Sequence, residues 1–338
     1  MDVAGTGSPT LVLPLDDASQ VGHARRTTLQ TAQRIGFDET DAGRAALVAT
    51  ELSSNVLKHA MRGELHLQVV PGRDGPGLEI VAVDRGPGFD VAACLVDGYS
   101  SRGSQGIGLG ALVRQAQVFD AHADARGAVV LARLFPRQHT RRQDLRFGIS
   151  HHALHGEPAS GDTWRLAIDG ARLSALVIDG LGHGVAAAEA AKAGAAAFVR
   201  EPFDAPETIL ARAHAGMAST RGGAFAICQY DGAGTLRFLG IGNIAGSLVG
   251  AEQSRGLASH PGIVGGQFRK PTVFSYPASS GQLLIMHSDG LQARWRLGDY
   301  AGLWRRHPGV VAAVLNRDYC RGRDDTTVLV ASMETPRE

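Results

Sequence analysis

Four short motifs in residues 147–338 place carboxylates beside glycines or at the ends of apolar runs. The motifs are Gly161-Asp162, Asp179-Gly180-Leu181-Gly182-His183-Gly184 after LSALVI, Ser288-Asp289-Gly290 after QLLIMH, and Asp324-Asp325-Thr326-Thr327 before VLVA. Aspartates gathered at one rim of a sheet repel one another unless they are protonated or bind cations. Oxygen ligands without a cluster of His or Cys favour Mg²⁺ or Mn²⁺ over zinc. Two such ions, about 4 Å apart, can clamp a phosphate and generate a hydroxide nucleophile from water.

Each of these motifs also has a simpler interpretation. A single Asp-Gly pair is usually a β-turn, but four carboxylate motifs in this order, each at an apolar strand edge, favour a metal centre. His183 is open between two roles: it protonates a leaving oxygen, or it caps the helix that starts near Val185. We interpret the turn Gly240-Ile241-Gly242-Asn243 as structural. No basic residue is clearly placed to hold a substrate phosphate, so we expect the metal ions to hold it alone.

Three segments of the first half combine into a second candidate site. They are ELSSNVLKHA (51–60), DRGPGF (84–89) and GSQGIGLG (103–110). Glu51 and Asn55 share a helix face, where a carboxylate can orient a nucleophile and an amide oxygen can bind Mg²⁺. Asp84 follows an apolar strand and can accept a hydrogen bond from an exocyclic amine such as that of adenine, while the glycines beside it admit a flat base. A glycine-rich loop that leads into a helix can bind phosphates.

Taken singly, these segments are typical of a solvated helix face, a tight turn and an ordinary glycine loop. Their order and spacing together resemble the GHKL ATPases, the family of histidine kinases, gyrase, heat-shock chaperones and MutL, over about residues 15–135. In its compact size, this module is most similar to the anti-sigma-factor and switch-protein serine kinases. Those kinases phosphorylate a serine or threonine of small STAS-domain proteins. No phospho-acceptor histidine with dimerising helices precedes the module, so we do not expect a sensor histidine kinase, and we interpret His23 as structural.

The resemblance implies ATP and Mg²⁺ as cofactors and assigns a role to each matching residue. Asn55 would coordinate Mg²⁺, Glu51 would act as base or polarise the nucleophile, and Asp84 would contact adenine. The remaining implied contacts are Gly86 and Gly88 with the base, Gly106, Gly108 and Gly110 with the phosphates, and Arg102 with the γ-phosphate.

Residues 147–335 resemble the PP2C-like serine/threonine phosphatases of the sporulation and stress-response class, because GD, DGLGHG, SDG and DDTT all match in order. The resemblance implies two Mg²⁺ or Mn²⁺ ions bridged by Asp179, with help from the backbone carbonyl of Gly180. Asp162, Asp289 and Asp324 would complete the ligand set. Asp325, as the adjacent carboxylate, is an alternative or additional ligand.

The elements that must position these residues follow from hydrophobic periodicity. We predict an α/β protein of two domains: a Bergerat-type α/β sandwich over 1–137, a solvated basic linker over 138–146, and a PP2C-like α-β-β-α sandwich over 147–338. Helices are expected at 18–35, 38–60, 109–119, 185–200 and 205–217. Strands are expected at 65–70, 78–83, 128–135, 164–168, 173–178, 224–230, 235–241, 282–286 and 326–331.

Composition limits the classes of partner. The chain has 338 residues, 44% hydrophobic and 20% charged, with a net charge of +1, so no basic field favours nucleic acid. Three scattered cysteines predict neither a disulfide framework nor a zinc site. The N-terminus lacks the pattern of a secretory signal, and no apolar run approaches the ~18 residues of a membrane span. We therefore expect a cytoplasmic protein without a membrane partner.

The main hypothesis is a bifunctional switch protein that phosphorylates and dephosphorylates a STAS-domain partner of a sigma-factor pathway. One alternative is a phosphatase gated by an ATP-sensing domain, although a pure sensor does not need Glu51. Another is a non-catalytic switch that binds a sigma factor or its antagonist. The kinases that the first half resembles often dimerise, so a homodimer is also open.

Overall fold

The structure, a computed structural model, describes residues 3–5, 9–94, 109–138, 144–155, 157–251 and 253–333. Its internal contacts divide the chain into two compact units. The N-terminal unit comprises 10–145 and 305–313, and the C-terminal unit comprises 1–9, 146–304 and 314–338. The chain begins with a short strand, β1 (Val3–Gly5), which belongs to the C-terminal unit.

The N-terminal unit is one antiparallel sheet with helices packed against it. Its elements are β2 (Leu11–Leu15), α1 (Ala18–Arg34), α2 (Glu39–Ala60), β3 (Gly63–Pro71), β4 (Pro76–Asp84), α3 (Val91–Cys94), α4 (Leu109–Gln115), β5 (Val118–Asp124) and β6 (Gly127–Leu134). The strands are ordered β2-β3-β4-β6-β5. Helix α2 packs on β3 and β4, and α1 packs on α2.

Helix α2, which carries Glu51 and Asn55, has clear local determinants. Asp38 is its N-cap, and its carboxylate accepts a hydrogen bond from the Asp41 amide at 2.7 Å. Val48, Leu52 and Val56 recur every fourth residue, as one face of a helix requires, and all three are buried in the same core as the sheet. The helix ends at Met61, whose left-handed backbone (φ +64°) stops the hydrogen-bond ladder.

Two expectations for the N-terminal unit are wrong. The helix expected at 109–119 ends at Gln115, and Val118–Asp124 forms β5, which pairs with β6 through a turn at Gly127 (φ +129°). The pairing with β6 overrides the weak helical pattern of this segment. The basic stretch 138–146 is not wholly solvated either, since Asp144 and Leu145 are buried.

The C-terminal unit has two antiparallel sheets, with one short parallel pair, and helices against them. Its elements are β7 (Phe147–His152), β8 (Asp162–Asp169), β9 (Arg172–Gly180), α5 (Val185–Arg200), α6 (Pro206–Met217), β10 (Gly223–Tyr230), β11 (Thr235–Ile241), β12 (Ala245–Val249), β13 (Ser254–Leu257), β14 (Ser259–His260), β15 (Phe274–Pro277), β16 (Leu283–His287), α7 (Pro308–Tyr319) and β17 (Thr326–Ser332), with 3-10 turns at Leu297–Asp299 and Leu303–Arg305. Residues 308–313 of α7 group with the N-terminal unit.

The two sheets of the C-terminal unit form the layers of a sandwich. The first is ordered β1-β8-β9-β10-β11-β14, with β15 also on β11, and the second is ordered β13-β12-β16-β17-β7. Trp164 on β8 contacts Phe147 on β7 with ring centroids 6.1 Å apart, which joins the sheets in one core. Helices α5 and α6 cover the first sheet, and Gly194 lets them approach because a Cβ there would lie 2.6 Å from the sulfur of Met217. The predicted α/β sandwich is confirmed.

Within the described ranges, no helix combines the length and the hydropathy needed to cross a membrane.

Candidate metal centre and nucleotide site

Pairing between strands brings the predicted metal ligands to one rim of the C-terminal sandwich. Asp162 opens β8 and Asp179 lies near the end of β9, and the two are direct partners across this antiparallel pair. Asp289 follows β16, and Asp324 precedes β17, which pairs with β16. These four segments, distant in sequence, meet at one edge because β8 and β17 begin there and β9 and β16 end there.

Asp162 is deeply buried, with 4% of the residue exposed. Its Oδ2 accepts a hydrogen bond from the Ser288 hydroxyl at 2.6 Å, and the same hydroxyl accepts one from the Thr327 amide at 2.9 Å. Its Oδ1 is buried and has no hydrogen-bond partner among the described residues. A buried oxygen without a donor is costly in a folded protein, and a bound cation would satisfy it.

The electrostatics of the rim favour cation binding. Burial raises the pKa of Asp162 to about 7, against the opposing hydrogen bonds from Ser288 and Thr327. Burial, followed by repulsion from the neighbouring aspartates, raises the pKa of Asp179 to about 8. The pKa of Asp289 is also raised, first by burial and then by Asp324. The carboxylates thus lie within Coulombic range of one another, and a cation would relieve their repulsion.

These carboxylates do not close on a common point as the side chains stand. Among the described residues, no group of three His, Cys, Asp or Glu side chains is arranged to hold one ion. Two contacts account for part of this: Asn243 donates to Oδ2 of Asp289 at 2.7 Å, and both oxygens of Asp325 accept backbone N–H groups, from Leu154 and Gly161, at 2.7 Å each. The donor set fits divalent cations in type and charge.

The loop after β9 is built from glycines because helix α5 lies directly against it. A Cβ at Gly180 would lie 2.2 Å from the Ala187 carbonyl oxygen, and Gly182 and Gly184 have φ of +84° and +75°. His183 projects from this loop with 57% of its side chain exposed, and its Nδ1 lies 2.6 Å from a carboxylate oxygen of Glu157. The capping alternative for His183 is wrong, since Gly184 is the N-cap of α5 and no side chain caps the helix.

Several polar residues around the rim escaped the sequence analysis. Asn243, which we interpreted only as part of a turn, contacts Asp289, and Glu157 contacts His183. Arg221 borders the glycine loop, because its Nη1 would lie 3.1 Å from a Cβ at Gly182. Arg321 lies close enough to Asp289 to lower the pKa of that carboxyl. None of these residues has a spacing signature, since the chain brings them in from separate loops.

In the N-terminal unit, Asp84 ends β4, and its Oδ1 accepts hydrogen bonds from the amides of Gly86 at 2.8 Å and Ala128 at 3.2 Å. A Cβ at Gly86 would lie 2.7 Å from the Cβ of Ala60, and one at Gly88 would lie 2.2 Å from a backbone oxygen. The DRGPG turn therefore lies against the end of α2.

The other predicted nucleotide contacts are placed in part. Glu51 and Asn55 are half-buried and one turn apart on α2, and Gly110 lies in the first turn of α4. Arg102, Gly106 and Gly108 lie outside the described residues.

Comparison with known proteins identifies the N-terminal module. The histidine kinase-like ATPase domain matches residues 13–134. The serine/threonine-protein kinase RsbT of Bacillus subtilis (strain 168) is 32% identical over 103 residues, which are 30% of this chain and 77% of RsbT. The chain belongs to the histidine kinase-like ATPase family. The predicted kinase-type ATPase module is confirmed.

The chain is also similar to proteins of known structure. A structure described as "The bacterial stressosome: a modular system that has been adapted to control secondary messenger signaling" is 27% identical with a TM-score of 0.51, and the match covers 54% of this chain and 97% of that one. The PP2C phosphatase domain of SpoIIE from Bacillus subtilis, with a fragment of its regulatory domain, is 18% identical with a TM-score of 0.44, covering 77% and 80%. The match to the stressosome structure covers 54% of this chain, which is a larger share than residues 13–134 represent.

Proposed function

We propose that the chain is a bifunctional regulator of a protein phosphorylation switch. Its C-terminal unit removes phosphate from phosphoserine or phosphothreonine with metal-activated water. Its N-terminal unit binds ATP with Mg²⁺ and phosphorylates a serine or threonine of a STAS-domain protein. The observation that carries the phosphatase half is the pairing of the buried Asp162 with the half-buried Asp179 across β8 and β9, together with the buried Oδ1 of Asp162, which has no hydrogen-bond partner among the described residues.

The proposed ligands are Asp162, Asp179, Asp289 and Asp324, together with the carbonyl of Gly180. Asp325 is assigned a bracing role, because both of its oxygens already accept backbone hydrogen bonds. Divalent ions at this rim, when bound, supply a hydroxide nucleophile at neutral pH and neutralise the phosphate oxygens.

The chain's own residues orient these ligands. Ser288 donates to Oδ2 of Asp162, so the unpartnered Oδ1 is the oxygen left to bind a cation. The carboxylate of Glu157 accepts from Nδ1 of His183, which orients the imidazole. We assign His183 the transfer of a proton to the leaving serine oxygen, a role that suits its exposed position at the loop tip.

The kinase half rests on the similarity to RsbT and on the placement of three side chains. Asn55 on α2 would bind Mg²⁺, and Glu51, one turn before it, would orient the attacking hydroxyl. The described hydrogen bonds of Asp84 use Oδ1 and leave Oδ2 to accept from adenine. The STAS-domain substrate and the sigma-factor pathway belong to this proposal.

Replacement of Asp289 by asparagine tests the phosphatase half. The variant loses one negative charge from the metal site, so phosphate release from a phosphorylated STAS-domain protein in Mn²⁺ should fall at least about 100-fold. Asp169→Asn is the matched control, since Asp169 lies at the opposite end of β8 and pairs on the surface with Arg172. Undiminished phosphate release by Asp289→Asn contradicts the assigned ligand role.

Replacement of Glu51 by glutamine tests the kinase half. The amide keeps the shape of the side chain but removes its basicity, so transfer of labelled phosphate from ATP to a STAS-domain protein should fall about 100-fold or more while ATP binding is retained. Glu39→Gln, at the exposed start of α2, is the control. ATP binding by the wild type without transfer to any STAS-domain protein would favour an ATP-sensing role for this unit.

A further inference from the structure

A cleft in the C-terminal unit adjoins the proposed metal centre and is rich in arginine. It has a volume of about 620 Å³, and its lining includes Asp289, Asp324, Arg294, Arg321 and Arg323. Two of these residues are proposed metal ligands, so the cleft opens directly onto the reaction site. Its volume falls within the range of ~300–1,000 Å³ that is usual for ligand sites and exceeds what one phosphate group requires.

Backbone hydrogen bonds hold the two arginine-bearing segments side by side. The amide of Gln292 donates to the Tyr319 carbonyl at 2.9 Å, and the amide of Arg321 donates to the Gly290 carbonyl at 2.9 Å. Leu291 and Cys320 form an antiparallel bridge between them. The arginines are therefore presented from a braced pair of loops, which lowers the entropic cost of binding to them.

The three arginines have no internal role that accounts for them. All three are exposed, and no hydrogen bond or ion pair of their side chains is present within the described part of the chain. Elsewhere in the unit, Arg172 and Arg212 pair with nearby aspartates. Arg321 lines the cleft together with Asp289, and its positive charge opposes the rise in the pKa of that carboxyl.

The charge of the cleft favours an anionic ligand. Binding of divalent cations would neutralise Asp289 and Asp324 and leave the three guanidinium groups as the uncompensated charge of the cleft. Arginine is suited to bidentate pairing with carboxylates. We propose that this cleft binds the acidic stretch of polypeptide that flanks the phosphoserine of the substrate, with Arg294, Arg321 and Arg323 pairing with its aspartate or glutamate side chains. This proposal rests on the proposed phosphatase function and adds its substrate class.

The test compares the triple variant Arg294→Gln/Arg321→Gln/Arg323→Gln with a control that loses the same charge outside the cleft, Arg255→Gln/Arg269→Gln/Arg296→Gln. All three control arginines are exposed. Substrates are p-nitrophenyl phosphate and two phosphoserine peptides of equal length, one with acidic flanks and one with amide flanks. For the acidic peptide, kcat/KM should fall about tenfold in the cleft variant and within about twofold in the control. For the other two substrates, the control should stay within about twofold of the wild type, and the cleft variant should lose clearly less activity than it loses on the acidic peptide.

A binding measurement separates this proposal from the phosphatase assignment. Fluorescence anisotropy of the labelled, unphosphorylated acidic peptide with full-length protein in Mn²⁺ should show weaker affinity for the cleft variant than for the control, and a smaller salt dependence. Arginine-dependent binding without hydrolysis of any substrate by the wild type would support the cleft and overturn the phosphatase function. Equal affinity of the cleft variant and the control, or an equal loss of activity on all three substrates, would overturn the cleft proposal.

Discussion

Asparagine in place of Asp179 should lower phosphate release from a phosphoserine protein by about a thousandfold. Asp179 would help to hold the proposed metal ions, and loss of several kcal/mol of transition-state stabilisation corresponds to about three decades in rate. Phosphate release in Mn²⁺, measured at saturating substrate, is the readout.

The same variant should make the metal-free protein more stable. Because the pKa of Asp179 in the folded protein is raised to about 8 from its ordinary value of 3.8, the folded state keeps a proton that the unfolded state has already released. This carboxyl therefore destabilises the metal-free protein increasingly as pH rises from about 4 to 8, and the effect levels off above that. Asparagine removes it, so the gain should be at least about 1–2 kcal/mol at pH 8 and clearly smaller at pH 5.

A loss of phosphate release combined with a gain in stability is the result expected for a metal ligand. A residue that only supports the fold would lose activity and stability together when replaced. Thermal unfolding in EDTA at pH 5 and pH 8 supplies the second readout, with Asp169→Asn as the control for charge removal at the surface. A lower melting temperature for Asp179→Asn at pH 8, or full activity in Mn²⁺, would contradict the metal role.

Alanine in place of Arg133 should destabilise the N-terminal unit by about 3–5 kcal/mol. The guanidinium is fully buried, lies 2.6 Å from Glu79 and 2.9 Å from Asp144, and is the positive charge between them. Nε2 of His307 lies 3.2 Å from the second oxygen of Asp144 and extends the cluster. Removal of the arginine leaves Glu79 and Asp144 buried without their shared cation, and removing one partner of a buried ion pair is strongly destabilising.

Chemical denaturation of full-length protein measures this effect, and two further variants define its cause. Arg126→Ala removes an exposed arginine that pairs with Asp124 and should cost less than about 1 kcal/mol. The variant Arg133→Met/Glu79→Leu/Asp144→Leu removes all three main charges and should recover much of the lost stability, because no buried carboxylate of this group remains uncompensated. Equal destabilisation by Arg126→Ala and Arg133→Ala would show that burial of this charge has no special cost.

The sequence predicted those parts of the molecule that depend on local pattern. Asp38 and Thr40 are residue types that cap helices, and Val48, Leu52 and Val56 recur every fourth residue as one helix face requires; in the structure Asp38 is the N-cap and the three apolar residues are buried. The sequence also predicted aspartates at strand ends, because a strand end is recognisable where an apolar run meets an Asp-Gly pair, as at Asp179 and Asp289. What pairing adds is the direct opposition of Asp162 and Asp179.

Features that depend on distant contacts were not predictable. The hydrogen bond from Gly161 to Asp325 joins residues 164 positions apart, and no pattern within either motif indicates it. Asp144 lies in the stretch that the sequence predicts to be a solvated basic linker, yet it is buried and its carboxylate accepts a hydrogen bond from Arg133. The segment 118–124 became a strand because β6 offered an edge for pairing. Arg294, Arg321 and Arg323 form one cleft only after the backbone bonds between their loops have formed.

The most direct test of the central claim is phosphate release by the full-length wild-type protein from a phosphoserine-bearing STAS-domain protein, without ATP, in Mn²⁺ and in EDTA. The account predicts steady release in Mn²⁺, loss of that release in EDTA, and its recovery when Mn²⁺ is restored. Release at the same rate in EDTA, or no release from phosphoserine under either condition, would contradict the proposed phosphatase metal centre. Its proposed carboxylate ligands are Asp162, Asp179, Asp289 and Asp324.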